Sequence, residues 1–248
     1  MHSIIILGLK RLGAYGLSLV LQSGKLLVAS AFPDPPFDIE GGGFDADLMK
    51  EICKRLNLEF VQLKFKGDNF NDIFLGLQKK EYDAVISGTT ITPERSQIVL
   101  FSDPYLEFNQ GIAVNTKLTP NVRTLEDLNG LVAGIQKGNT SDKVAKELLA
   151  KKIISDVKYY AYKEIELALK DLEAGNVGLI IKLYPVLQNF ILNYPTLSVV
   201  LQVPTHEKLG IAFSKDNNKL QRSVSSILFQ LSKDGTLEQL KGKWLLIG

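Results

Sequence analysis

An arginine, two threonines and a glycine share one short stretch of this chain, in an order that suits holding an anion. Residues 83–105 read DAVISGTTITPERSQIVLFSDPY. Ala84, Val85 and Ile86 have the character of a buried strand, which Ser87 and Gly88 break, leaving Thr89 and Thr90 at its carboxyl end. Thr92 suits a helix N-cap, and Pro93 the first helical position, where its missing N–H costs nothing. Arg95 then falls in the first turn, close to the threonine hydroxyls and to the backbone N–H groups around Gly88. A guanidinium presents a planar fork that matches a carboxylate, and hydroxyls and amides beside it add donors. By itself Arg95 is as well explained as a surface residue paired with a nearby acid. The strand–glycine–threonine–proline context favours a carboxylate receptor.

A second stretch with the same chemistry is QKGNTSD, residues 136–142. Gly138 permits a tight turn, and Asn139 or Thr140 suits the cap of the helix that follows. The N–H groups of Thr140 and Ser141 in its first turn make a ready site for a carboxylate. A capped helix start with nothing bound explains that loop equally well. Groups for other chemistry are scarce. The two histidines, His2 and His206, are far apart and fall in no metal-ligand spacing. The single cysteine, Cys53, lies in a helical pattern between Ile52 and Leu56, as a small buried hydrophobe does. No catalytic residue, metal or cofactor is therefore assigned. The 29 basic and 27 acidic residues are interspersed and leave a net charge of +2. That balance gives no basic patch for nucleic acid.

The elements that must position these residues alternate between strand and helix, which predicts parallel sheets with helices on their faces. Strands are expected at 26–31, 58–63 and 83–86, with helices at 47–56 and 70–77. The loop FPDPPFDIEGGG after the first strand is turn-rich and accessible. A new unit begins near Gly111, with strands at 131–135, 157–160, 177–181 and 197–201 and helices at 143–149, 164–172 and 185–191. Residues 205–208 read as the return crossing, followed by a strand at 209–213 and helices at 220–231 and 237–244, with Trp244 as a packing anchor. The 248 residues suit two domains, here 25–109 with 206–248 and, between them, 110–205. Two crossings suit a hinge, with ligand held at the strands' carboxyl ends. Ahead of them, residues 1–24 place Lys10 and Arg11 before the apolar run 12–21, which is of signal-sequence length.

In order along the chain stand GFDADLMKEICKRL (43–56), TITPER with FSDPY, QKGNTSD, and KDGTLEQLKGKWL (233–245). This ordered set resembles the periplasmic amino-acid-binding proteins of polar amino-acid ABC importers, the type II solute-binding proteins, from about Lys25 to the end. The resemblance implies a two-domain α/β fold, an extracytoplasmic monomer, a small carboxylate ligand and an ABC permease as partner. It implies that Arg95 clamps an α-carboxylate with help from Thr90 and Gly88, and that Thr140 and Ser141 complete the cage. Gln136 would line the cleft and Phe70 would pack on the ligand, although Phe70 is equally readable as a core residue at a helix start.

Two positions depart from the family pattern. Leu183 stands where an ammonium-binding Asp is usual, with Lys182 before it, and Asp34 stands where an aromatic is common. Asp34 or Asp38 is then a replacement partner for an ammonium or a basic side chain, or else a solvated loop acid. The alternative function on the same scaffold is a cyclohexadienyl dehydratase, with Asp34 or Lys182 as general acid.

Overall fold

The computed structural model describes residues 20–245. Residues 1–19, most of the segment read as signal-like, lie outside the described residues. In chain order the elements are β1 (Lys25–Ser30), α1 (Phe44–Leu56), β2 (Glu59–Lys64), α2 (Ile73–Gln78), β3 (Ala84–Val85), α3 (Pro93–Ile98), β4 (Leu100–Phe101) and β5 (Leu106–Asn115). Then come β6 (Val132–Gln136), α4 (Ser141–Ala150), β7 (Asp156–Tyr160), α5 (Ile165–Ala174), β8 (Leu179–Leu183), α6 (Tyr184–Ile191), β9 (Leu197–Leu209), β10 (Ala212–Phe213), α7 (Asn218–Lys233) and α8 (Thr236–Trp244). Among the described residues, no helix is long and apolar enough to cross a membrane.

The chain divides into two compact units. Unit 1 holds the described residues through Phe65, Ile73–Leu106, and those from Lys208 onward; unit 2 holds Lys66–Asp72 and Glu107–Glu207. In unit 1 the sheet order is β2-β1-β3-β10-β4. β1 pairs in parallel with β2 and β3, whereas β10 runs antiparallel to β3 and β4. Its core is built by Leu26 and Val28 of β1, Leu48, Met49 and Ile52 of α1, and Ile73, Phe74 and Leu77 of α2, all fully buried. Each such side chain contributes about 1.5–3 kcal/mol relative to exposure.

In unit 2 the order is β7-β6-β8-β5-β9, with β6 parallel to β7 and β8 and with β5 antiparallel to β8. Ile112 and Val114, Ala133 and Ile135, and Leu179 and Ile181 supply its core from three neighbouring strands, capped by Val144, Ala145 and Leu148 of α4.

Four boundaries differ from the sequence reading in ways that matter. α1 starts at Phe44 rather than 47, because Gly43 turns the chain with φ 108 and its carbonyl accepts from Asp47 N–H. A Cβ there would lie 2.0 Å from the Phe37 carbonyl oxygen, so only glycine fits. β8 runs two residues later than expected, since the Asn176 and Val177 amides still close the preceding helix end onto the Asp171 carbonyl. β9 is one 13-residue strand, longer than the expected 197–201, and it runs on through 205–208, where unit 2 ends at Glu207 and unit 1 resumes at Lys208. Phe70 begins a short 3-10 turn, Phe70–Asp72, ahead of α2 rather than joining one helix.

Two tail contacts agree with the reading of the sequence. Trp244 Nε1 donates to Asp47 at 3.0 Å, beside Lys243 at 2.6 Å, which fastens α8 to α1. Burial alone would raise Asp47, but these donors and Lys50 bring its pKa down to about 2. Cys53 is buried, and burial pushes its thiol up to about 12, which keeps it unreactive at neutral pH.

Candidate functional site

In unit 1, Thr92 caps α3 by accepting the Arg95 N–H on its hydroxyl at 3.2 Å. The cap sets the helix so that the Arg95 side chain turns back over the end of β3. Its Nη1 donates to the Thr90 carbonyl at 2.9 Å, and the guanidinium lies 5.4 Å from the centre of the Phe74 ring. Arg95 is only 7% exposed. A guanidinium sets its five N–H vectors in one plane, so contacts such as these fix the direction of its charge. Thr90 is tied by a bridge to Leu209, and the Gly210 N–H donates to the Thr89 carbonyl, so this turn is part of the sheet rather than a mobile loop. The Thr89 hydroxyl is buried without a hydrogen-bond partner among the described residues.

Gly88 has a different use from the one its position first implies. Its N–H donates to Asp45 at 2.6 Å, and its φ of 51 brings the backbone against the Phe37 ring. Asp45 also accepts from the Tyr105 hydroxyl at 2.9 Å. Asp34 and Asp38 belong to the same neighbourhood: the Asp34 N–H donates to the Asp38 carbonyl, and the charges of both acids act on this group. Burial first, then the charge of Asp45, holds Asp38 well above the ordinary carboxylate range. Burial likewise pushes Asp45 up to about 7, against the pull of Gly88 and Tyr105, with the Asp34 charge adding to the rise. Tyr105 is raised as well, by burial and then by Asp45. The cluster therefore holds protons that isolated carboxylates release.

In unit 2, the predicted residues gather around two buried polar groups. Gln136 ends β6; its Nε2 donates to the Tyr162 carbonyl, and its Oε1 accepts from Lys182 Nζ at 2.9 Å and Asn139 Nδ2 at 3.3 Å. Lys182 is 4% exposed and lies against the Tyr162 and Phe190 rings at 5.5 and 5.9 Å. Phe70 stacks on the same Tyr162, with ring centres 5.2 Å apart, and its N–H donates to the Lys137 carbonyl. Gly138 makes that approach possible: at φ 83, a Cβ would sit 2.2 Å from Asn69 Oδ1 and 2.7 Å from Phe70 N.

The second group is Thr140 with Gln110 and Glu207. The Thr140 hydroxyl donates to Glu207 Oε2 at 2.7 Å, and Gln110 Nε2 donates to Glu207 Oε1 at 2.7 Å and to the Thr140 oxygen at 3.1 Å. Thr140 precedes α4 without bonding its amides, so its side chain faces this network instead of capping. Ser141 is buried, and its hydroxyl has no partner among the described residues. Leu183 is the cross-strand partner of Gln110 and is itself buried.

Sequence reasoning missed Gln110, Glu207, Asp45 and Tyr105. A signal for Glu207 was present. Val203, Thr205, Glu207 and Leu209 recur at every second residue and are less exposed than the residues between them, the period of a half-buried strand. Reading 205–208 as a crossing hid it.

The sequence profile of the bacterial extracellular solute-binding proteins, family 3, matches residues 26–247. The chain belongs to that family. This solute-binding protein is 31% identical over 220 residues to "ABC transporter arginine-binding protein 1" of Escherichia coli (strain K12), covering 85% of this chain and 86% of that one. Among solved structures, an ancestral arginine-binding protein bound to arginine superposes with a TM-score of 0.79 at 32% identity, over 91% of this chain and 99% of that one. An ancestral amino acid-binding protein, described as a precursor of cyclohexadienyl dehydratase, superposes with a TM-score of 0.77 at 31% identity, over 96% and 98%. The related proteins are thus named for binding amino acids, including the one that precedes an enzyme.

Proposed function

We propose that this protein is an extracytoplasmic solute-binding protein that captures an amino acid by its α-carboxylate and delivers it, as a monomer, to an ABC permease. The observation that carries the reading is Arg95, a buried guanidinium fixed by the Thr90 carbonyl and the Phe74 ring at the end of β3. In this reading, residues 25–109 with 206–248 form one lobe and 110–205 the other, and the ligand takes contacts from both. Arg95 and Thr90 supply the first carboxylate contacts. Thr140 and Ser141 add donors at the start of α4, Gln136 and Phe70 line the site, and Asp34 faces a basic group of the ligand. Gly88 supports the site through its bond to Asp45. Because relatives are named for arginine, L-arginine is the first ligand to try.

The test is a thermal-shift panel of the 20 standard L-amino acids, with keto acids and dicarboxylates added. At least one amino acid should raise the melting temperature of the wild type, and Arg95→Ala should abolish the rise. A panel in which no small carboxylate stabilises the protein ends this reading. Phenylpyruvate release from prephenate, with Asp34→Asn as comparison, tests the enzymatic alternative in the same preparation.

A further inference from the structure

Residues 32–43 of unit 1 form a loop with two buried acids, Asp34 and Asp38, and it folds over the start of α1, which carries a third, Asp45. Its backbone is fastened there. The Pro36 and Phe37 carbonyls accept the Phe44 and Asp45 N–H groups at 2.9 and 3.1 Å, and the Asp34 and Asp38 main chains exchange bonds at 2.7 and 3.1 Å. Phe37 is fully buried and stands edge-on to Phe44, with ring centres 6.4 Å apart. A Cβ on Gly88 would lie 2.9 Å from the Phe37 ring, so the loop presses on the turn that leads from β3 to Thr90.

The acids sit where a negative charge is poorly supported. Asp38 is fully buried, and neither of its carboxylate oxygens has a hydrogen-bond partner among the described residues. Ser87 and Ser30 favour its charge, but less than burial and Asp45 oppose it, and the Ser87 hydroxyl already donates to the Ala31 carbonyl at 3.0 Å. Asp45 accepts from Gly88 N–H and the Tyr105 hydroxyl, yet burial still pushes it up to about 7. The titratable groups acting on the pair are Asp34 from the loop and Tyr105 just ahead of β5. Glu40 of the loop is exposed, and Asp47 of α1 is taken by Lys50, Lys243 and Trp244. Lys64, at the end of β2, stands 4.6 Å from the centre of the Phe32 ring where the loop begins.

Opening the loop carries Asp34 and Asp38 into water and away from Asp45, where each ionises as an ordinary carboxylate does. The closed loop therefore binds more protons than the open one, and raising the pH through neutrality favours the open form. We propose that Asp38 and Asp45, under the charge of Asp34, make a proton-held latch: with their protons in place the 32–43 loop stays closed on α1 and on the turn after β3, and with the protons lost it opens. The latch acts on the turn that presents Thr90, whatever ligand that turn serves.

The test is hydrogen–deuterium exchange of the full chain without ligand at pH 6 and pH 8, with rates corrected for the intrinsic effect of pH on exchange. It needs no amino acid to bind, so its outcome is separate from that of the functional reading. A carboxyl that titrates at about 7 shifts such a balance about tenfold between these two values. Protection of the amides of residues 34, 37, 38, 44 and 45 should therefore fall about tenfold or more at pH 8, while β6 changes less than twofold. Asn keeps the shape of a protonated Asp and cannot ionise. Asp45→Asn and Asp38→Asn should each reduce the fall, and the double variant should hold it below twofold. Circular dichroism checks the fold of each variant. Should none of them fold, a pH series on the wild type replaces them, with the loss of protection centred near pH 7.

Loop protection that pH does not change overturns the proposal. So does a fall of the same size in the double variant, which assigns the proton to another group. A fall shared equally by β6, or by the rest of unit 1, also overturns it, since that marks general loosening rather than a latch.

Discussion

Two buried carboxylate groups, one in each unit, differ in what surrounds them. Asp45 in unit 1 sits among other acids; its donors are one amide and one phenol, and the charge of Asp34 works against its ionisation. Glu207 in unit 2 accepts from the amide of Gln110 and from the hydroxyl of Thr140, each at 2.7 Å. Burial is the first cause of the rise at Asp45, and the Asp34 charge adds to it. A carboxylate that burial and then like charge hold protonated acts as a structural hydrogen-bonding group. The unit 1 cluster therefore reads as scaffold, holding the FPDPPFD loop against α1 and β3.

The comparison breaks first at Arg95. Removing a guanidinium that makes two charge-assisted hydrogen bonds costs about 3–6 kcal/mol, so Arg95→Ala should weaken amino-acid binding at least 100-fold in calorimetry. Arg95→Lys should recover little, because an ammonium lacks the planar fork. Full binding by either variant would move the carboxylate site elsewhere.

In unit 2, Gly138→Ala forces a side chain into Asn69 and Phe70 at a positive φ. A loss of about 2–3 kcal/mol in urea unfolding is expected from strain of this kind. A variant as stable as the wild type would show that the loop and residues 66–72 give way easily, and Phe70 would lose its claim to a fixed place beside Tyr162.

The acid cluster is tested by pH. Asp45 holds its proton up to about pH 7 in the folded chain, against an ordinary value of 3.8. Between those values the folded state binds more protons than the unfolded one, so this group's contribution to stability falls as pH rises through the window. Asp45→Asn removes that titration, and its melting temperature should decline less than that of the wild type between pH 5 and 8. Identical declines would place the proton on another group, with Asp38 first in line.

The smallest effect belongs to Lys182. Lys182→Met keeps the packing against Tyr162 and Phe190 and loses the bond to Gln136, which Asn139 still supports. Chemical denaturation should register a change of about 1 kcal/mol or less. A loss of several kcal/mol would show that the buried ammonium organises unit 2 in its own right.

How much of this was written in the residues follows from distance along the chain. Where one local pattern carries the information, the sequence reading and the structure agree. Thr92-Pro93 starts α3, Arg95 lies in its first turn beside Thr90, and Gly138 makes a turn that only a residue tolerant of positive φ takes without strain. The alternation of strands and helices likewise named the α/β class, because hydrophobic period is local. Gly88 shows the limit. Its place after a strand made it a plausible donor to a ligand, but its N–H is consumed by Asp45, 43 residues earlier. The Glu207 group joins residues 110, 140 and 207, and no window of sequence contains all three.

By itself, then, the sequence determined the fold class and the family, since both rest on short-range order and residue type. Only the tertiary structure decided which carboxylates share a neighbourhood and which distant donors reach them. That depends on strand order, β8-β5-β9 in unit 2, and on register across it, which sets Gln110 opposite Leu183 and within reach of Glu207. Hydrogen bonds and burial act through space, and pairing across a sheet brings together residues that the chain keeps a hundred positions apart.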